Sequence, residues 1–259
     1  MNRCYPLHGR RIPIARASVL LLLGLFFPAI ARAGEWRVTP IRLDLGKDAK
    51  NSAVTVFNES EERLQVQMDA MEWTQDAEGK DRYKETRDIL FFPRIMIFDR
   101  KGEKILRAGI KIPAIEKEKT YRLFIEEIPG PGKAQGANIA IAIRFGVPVF
   151  VLPLKEDLRG EVMGIGMSAG TLRVPVRNSG NVHFLIQGIR IHGKNLKGAV
   201  IFSKELNGWY LLPGASRSYT ADVPADVCRE IAGFDVEVRT DRLVLNGNLV
   251  ADPSMCATK

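Results

Sequence analysis

From residue 36 onward almost no segment keeps a helical period beyond two turns. What recurs is a short run that alternates in polarity and is closed by Gly, Asn, Asp or Pro. SAVTVFN (52–58) sets Val54 and Val56 on one face and stops at Asn58, and RLQVQMDAMEW (63–73) alternates over most of its length. Residues of one parity in an extended chain share one face, so such runs read as half-buried strands. The nearest thing to a helix is PADVCREIAG (224–233), one short helix or helical turn.

The same reading extends along the chain. WRVTPIRLDL (36–45) is extended, and ILFFPRIMIFD (89–99) carries a proline that suits an edge or a bend. KILRAGIKI and TYRLFIEEI are further strands. TQDAEGKDRYKETRD (74–88) reads as a charged loop, RKGEK (100–104) as a turn and PGPGKAQG (129–136) as a loop. After Pro153 the polar LKEDLRGEVMG (154–164) reads as a linker, and a second series of short strands follows, from LRVPVRNSGN to RLVLNGNLV. Two blocks of roughly seven strands each, with turns every 8–12 residues, predict an all-β chain of two immunoglobulin-like β-sandwich domains. The expected boundaries are 34–153 and 154–259.

Residues 1–33 belong to neither block. Arg3, Arg10, Arg11 and Arg16 precede the apolar ASVLLLLGLFFPAI (17–30), and Ala31-Arg32-Ala33 follows. That is the layout of a cleaved secretory signal peptide, with cleavage expected after Ala33, and marks the mature chain as exported. The apolar run is short for a span of ~20 residues. Removing this segment takes five basic residues and no acid, leaving 33 basic against 30 acidic, so the full chain's +8 becomes +3. No Lys/Arg cluster of the nucleic-acid kind remains. Cys228 and Cys256 stay as an even pair in an exported chain. Either they form a disulfide, worth ~3 kcal/mol over a loop of roughly 30 residues, or they are two buried thiols.

No catalytic constellation stands out. His183 and His192 have no Cys, Asp or Glu at a ligand spacing, so they read as strand-surface or satisfied interior side chains, and no metal or cofactor is expected. Glu126 and Glu127 are adjacent and point to opposite faces of a strand, unlike an acid/base pair. There is no Gly-rich phosphate loop and no G-x-S-x-G, and an enzyme is not expected.

One stretch stands apart. IAIAIRFGVPVFVLP (139–153) puts Ile139, Ile141, Ile143, Phe145, Val147, Val149 and Val151 on one parity, with Ala140, Ala142, Arg144, Gly146, Pro148 and Phe150 on the other. Either the isoleucines fill the protein's own core or they face an incoming partner. Along with this stretch, VTPIRLDLGKDAKNSAVTVFN, EKTYRLFIEEIPG, and VRNSGNVHF with GWYLLPG follow the order found in one family. Together they resemble the periplasmic chaperones of the chaperone–usher pilus pathway, over essentially the whole mature chain. The resemblance implies two immunoglobulin-like domains in an L shape. It also implies donor-strand complementation, in which the chaperone lends its G strand to an incomplete pilus or surface-fibre subunit and an outer-membrane usher later takes the subunit. By that likeness Ile139, Ile141 and Ile143 are the donor residues. A free chaperone has to hide that face, and a self-capping homodimer is one way.

The resemblance also implies a carboxylate anchor for the subunit's C-terminus in the cleft. Arg42 takes the first-strand anchor position, or else is an ordinary strand arginine. The second anchor, a lysine in the family, falls here on Pro148. Arg144 is the only basic residue on this strand and either substitutes or is a surface charge. The family's interdomain arginine falls on Leu152, while its acidic partner is retained as Glu118. Two rival readings remain: a fibre subunit or adhesin, which would carry an N-terminal extension where this chain enters a strand at Trp36, and a periplasmic β-sandwich that binds another exported partner.

Overall fold

The computed structural model describes residues 36–130 and 142–256. Ten strands come before residue 152: β1 (Trp36–Thr39), β2 (Leu43–Leu45), β3 (Asn51–Asn58), β4 (Leu64–Gln75), β5 (Asp81–Glu85), β6 (Ile89–Phe92), β7 (Ile95–Phe98), β8 (Glu103–Ile110), β9 (Lys119–Glu127) and β10 (Arg144–Val151). They form one sheet in the order β1-β3-β8-β6 and a second in the order β2-β10-β9-β4-β5, with β7 also on β4. Val54, Val56, Val66, Phe98, Leu106, Leu123 and Ile125 are fully buried between these sheets.

The rest of the chain forms β11 (Gly160–Val162), β12 (Gly166–Ser168), β13 (Thr171–Asn178), β14 (Phe184–Lys194), β15 (Val200–Asn207), β16 (Tyr210–Leu211), β17 (Ser216–Asp222), helix α1 (Ala225–Cys228), β18 (Gly233–Thr240) and β19 (Val244–Val250). A 3-10 turn, Pro253–Cys256, closes the described chain. One sheet holds β11-β13-β12 with β17 on β13, and the other holds β15-β14-β18-β19 with β16 on β14. Their core contains Leu172, Val174, Val176, Phe184, Ile189, Ile191, Phe234 and Val238. A Cys228–Cys256 disulfide, with Cα atoms 5.9 Å apart, ties α1 to the final turn. Chain closure of this kind stabilises by restricting the unfolded ensemble.

Both sandwiches end an early strand with the same device. Asn58 closes β3 and its side-chain amide donates to the Glu62 and Asp99 carbonyls. Asn178 closes β13 and donates to the Val182 and Leu211 carbonyls. Each amide is buried and satisfied, which stops the ladder and starts the turn.

Four stretches depart from the sequence reading. WRVTPIRLDL is two strands in different sheets: β1 runs antiparallel to β3, and β2 runs parallel to β10. Pro40 sits at the break and has no N–H to continue a ladder. ILFFPRIMIFD divides in the same way at Pro93, with β6 on β8 and β7 on β4. The loop expected over 74–88 contains β5, a hairpin partner of β4. Its residues DRYKE are almost wholly exposed, so no apolar alternation marks it. Asp76 builds the turn before it by accepting from the Glu78 and Lys80 amides. The expected linker over 154–164 contains β11, which adds to β13 as an edge strand.

Candidate functional site

β10 is paired unevenly. On one side it runs antiparallel to β9 along its whole length, from Arg144 opposite Glu126 to Val151 opposite Lys119. On the other side β2 pairs only with Val149, Phe150 and Val151. The Glu127 amide donates to the Ile143 carbonyl at 3.0 Å, which makes that pair hydrogen-bonded. By alternation the odd residues of β10 bond to β9, and the backbone groups of Arg144 and Gly146 point to the opposite edge. Among the described residues no strand pairs with that edge before Val149.

The odd parity faces the core. Val147, Val149 and Val151 are buried, Ile143 and Phe145 pack against the same cluster, and Phe145 meets Trp36 edge-on at 4.5 Å. Ile143 is therefore half-buried at the end of the protein's own core. Ile139 and Ile141 continue its parity and lie outside the described residues.

The even parity of β10 faces the second sandwich. Phe150 is fully buried in a small cluster with Trp73 and Leu212, against Tyr210. His183 stacks on Phe150 with ring centres 3.5 Å apart. Glu118, just before β9, accepts from the His183 backbone amide and from its ring Nδ1, both at 2.6 Å. Both side chains are sealed from solvent, at 1% and 0% exposure. The arginine expected by analogy at Leu152 is absent, and Glu118 takes a histidine from the other sandwich instead. His183 is thus the interior one of the two expected possibilities, with Nδ1 held by Glu118 and, among the described residues, Nε2 left without a partner. His192 is half-buried on β14, between Ser203 and Asp235 in the cross-strand register. Gln75 adds two more links across the junction, donating to the Tyr210 carbonyl and accepting from the Leu212 amide.

Three arginines reach this region. Arg42 hydrogen-bonds both Asp44 oxygens at 3.0 Å, lies 3.8 Å from Asp241 and sits over the Phe150 ring at 5.3 Å. Burial pulls its pKa down, but the Asp44 hydrogen bond and the charges of Asp44, Tyr210 and Asp241 outweigh that and raise it. Arg144 lies 3.6 Å from Glu126 and stacks on Phe124 at 3.8 Å.

The third, Arg122, was not singled out from the sequence. It lies on β9 directly opposite Pro148. Only 7% of it is exposed, and its Nη1 donates to the Gly146 carbonyl at 2.8 Å. Among the described residues its Nε and Nη2 have no hydrogen-bond partner. The faces of Trp73, Trp209 and Tyr210 lie 4.0, 5.5 and 5.9 Å away. Tyr83 is close enough for the Arg122 charge to act on it; burial raises the Tyr83 pKa, Asp81 adds to the rise, and Arg122 opposes it. Two sandwiches, the first with a β10 edge that no strand covers before Val149 among the described residues, define an immunoglobulin-like fold.

Comparison with known proteins narrows that class. Residues 36–156 match the model of the pili and flagellar-assembly chaperone family, PapD N-terminal domain. The match covers the first sandwich, whose sequence is that of this family's N-terminal domain. No curated protein sequence matches it. The fold is similar to that in the CsuC–CsuE chaperone–tip adhesion subunit pre-assembly complex of Acinetobacter baumannii archaic Csu pili, at 16% identity and a TM-score of 0.57, covering 81% of this chain and 97% of that one. It is also similar to the Pseudomonas aeruginosa CupB2 chaperone, at 15% identity and TM-score 0.52 over 83% and 99% of the two chains. The Salmonella enterica SafA pilin–SafB chaperone complex matches at 14% identity and TM-score 0.51, over 84% and 98%.

Proposed function

We propose that the chain is a periplasmic chaperone that lends β10, with the residues before it, to an incomplete pilus or surface-fibre subunit and passes that subunit to an outer-membrane usher. The carrying observation is that, among the described residues, no strand pairs with the edge of β10 over Arg144–Pro148, next to an apolar parity that continues in sequence through Ile141 and Ile139. A strand added there meets the backbone groups of Arg144 and the amide of Gly146, whose carbonyl already accepts from Arg122, each bond contributing ~0.5–1.5 kcal/mol net. Ile139 and Ile141 entering subunit pockets would together contribute ~3–6 kcal/mol before ordering costs, while Ile143 already packs against the protein's own core. The binding energy is thus supplied by burial and pairing alone, with no catalytic step and no ATP. The signal-like segment 1–33 supports a periplasmic site. In this reading residues 34–153 hold the subunit and 154–259 form the far wall of the cleft. Arg42 and Arg144 line the path of the bound chain.

The test is co-purification from the periplasm of the native host, with tagged wild type and Ile141→Asp, followed by mass spectrometry. A small exported β-rich subunit should accompany the wild type and be lost from a still-folded Ile141→Asp. An Ile141→Asp protein that is unfolded, or that captures the same subunit, overturns strand donation, because a charge in an occupied pocket costs several kcal/mol.

A further inference from the structure

We propose that the end of the first sandwich formed by residues 46–50, 110–116 and 152–154 docks on an anionic lipid bilayer. Ile112, Ile115 and Leu154 enter the bilayer interface, and Lys47, Lys50 and Lys111 meet the lipid phosphates. The inference goes beyond strand donation and does not depend on it.

Three short segments meet at this end. The turn after β2 is closed by the Gly46 amide donating to the Ala49 carbonyl, and the Ile110 amide at the end of β8 donates to the Lys50 carbonyl. The Leu152 amide donates to the Leu45 carbonyl and the Leu154 amide to the Ile115 carbonyl, which brings the segment after β10 against both. Ile112 is 52% exposed, and Ile115 and Leu154 are each 65% exposed. Large aliphatic side chains gathered on one exposed surface mark a place that something apolar covers. Between the segments lies a cavity of about 320 Å³, lined by Ile110, Leu152 and Leu154 and by Lys47, Lys50 and Lys111. Among the described residues no carboxylate lines it.

Charge selects the class of occupant. Among the described residues none of these three lysines has a carboxylate at ion-pair distance. The neighbouring acids are spent elsewhere: Asp44 on Arg42, Asp88 on Tyr121, Glu156 on Arg242 and Asp157 on Arg159. Asp48 and Glu116 are the remaining acids of the three segments, and neither lines the cavity. Apolar tips beside unpaired lysines match the two layers of a bilayer surface, acyl chains beneath anionic headgroups. The backbone fits the same occupant. The amides of Ile110, Leu152 and Leu154 are already bonded within the chain, and Pro113 has no N–H. Shallow entry into lipid therefore strands few polar groups, while an extended peptide gains little by pairing here. The uncovered stretch of β10 begins at the other end of that strand, at Arg144, so one molecule can hold the bilayer and a partner at once.

The experiment is vesicle flotation of the protein purified from the periplasm. One set of vesicles holds phosphatidylethanolamine with phosphatidylglycerol, and the other holds phosphatidylcholine alone. The protein should float with the anionic vesicles and not with the neutral ones, and high salt should release it. Lys47→Gln with Lys50→Gln and Lys111→Gln should weaken binding by at least about tenfold. Ile112→Ser, Ile115→Ser and Leu154→Ser together should weaken it by a similar factor with an unchanged urea midpoint, because all three positions are exposed. Lys204→Gln, at an exposed lysine of the second sandwich, should leave it unaltered. Equal binding to both vesicle types, binding to neither, or serine variants that bind as the wild type does overturn the proposal. Full competition by glycerol phosphate also overturns it, since the lysines would then hold the headgroup alone. A protein that co-purifies with the wild type and is lost from the serine variant, without vesicle binding, would put a protein partner on this surface and overturn it too. Absence of vesicle binding alongside normal subunit capture rejects the dock and leaves strand donation standing.

Discussion

Replacing His183 with Ala tests how the two sandwiches are locked together. The substitution removes a hydrogen bond of 2.6 Å to a carboxylate that is fully sealed from solvent. Such a charge-assisted bond contributes ~1.5–3 kcal/mol. It also removes a ring stacked 3.5 Å from Phe150, worth a further ~0.5–1.5 kcal/mol. Glu118 is then left with only the His183 backbone amide. The sum, ~2–4.5 kcal/mol, overlaps the ~3–5 kcal/mol cost of breaking a buried pair from one side. Urea unfolding of wild type, His183→Ala, Glu118→Gln and the double variant measures it. Trp73, buried in the same cluster, reports the junction by fluorescence. The double variant should cost much less than the sum of the singles, with a coupling of ~1.5–3 kcal/mol. A coupling within about 0.3 kcal/mol of zero would refute the lock.

Other consequences follow from the same geometry. Cys228→Ser with Cys256→Ser opens a link across 28 residues and should lower stability by ~3 kcal/mol, read from the urea midpoint under oxidising conditions. Arg42→Ala should weaken subunit capture without unfolding the protein, and unchanged capture would remove Arg42 from the bound chain's path. Tyr121 should govern the alkaline limb of stability: burial, then its hydrogen bond to Asp88, raises its pKa above the usual 10.0. The unfolded chain therefore loses that proton first, so stability is full below about pH 10 and falls as pH rises beyond it. Tyr121→Phe should flatten that fall in urea midpoints taken across the range, and an unaltered slope would exclude the residue.

Period-2 alternation made the interior strands legible because one face of each is buried. β3, with Val54 and Val56 inward, and β9, with Leu123 and Ile125 inward, carry that pattern in plain sequence. β5 was illegible because an edge strand exposed on both faces needs no apolar residue. The change of sheet at Pro40 and Pro93 was half legible: the prolines mark a break, but which sheet each half joins depends on partners far along the chain. The Glu118–His183 contact spans 65 residues and no local spacing announces it. Arg122 was missed for a related reason. In TYRLFIEEI it is a polar residue of the outward parity, like Thr120, and its meaning comes from standing opposite Pro148, a register that sequence alone does not give. A lone arginine between Tyr121 and Leu123, both buried, was the available signal.

The most direct measurement is amide hydrogen exchange along β10, free and in complex with the co-purified subunit. The Phe145 and Val147 amides face β9 in either state and serve as the internal reference. The Arg144 and Gly146 amides face the open edge and should exchange fast in the free protein, then become strongly protected in the complex. Protection of both on binding is the predicted result. Exchange at Arg144 and Gly146 that is unchanged by a bound subunit would contradict strand donation.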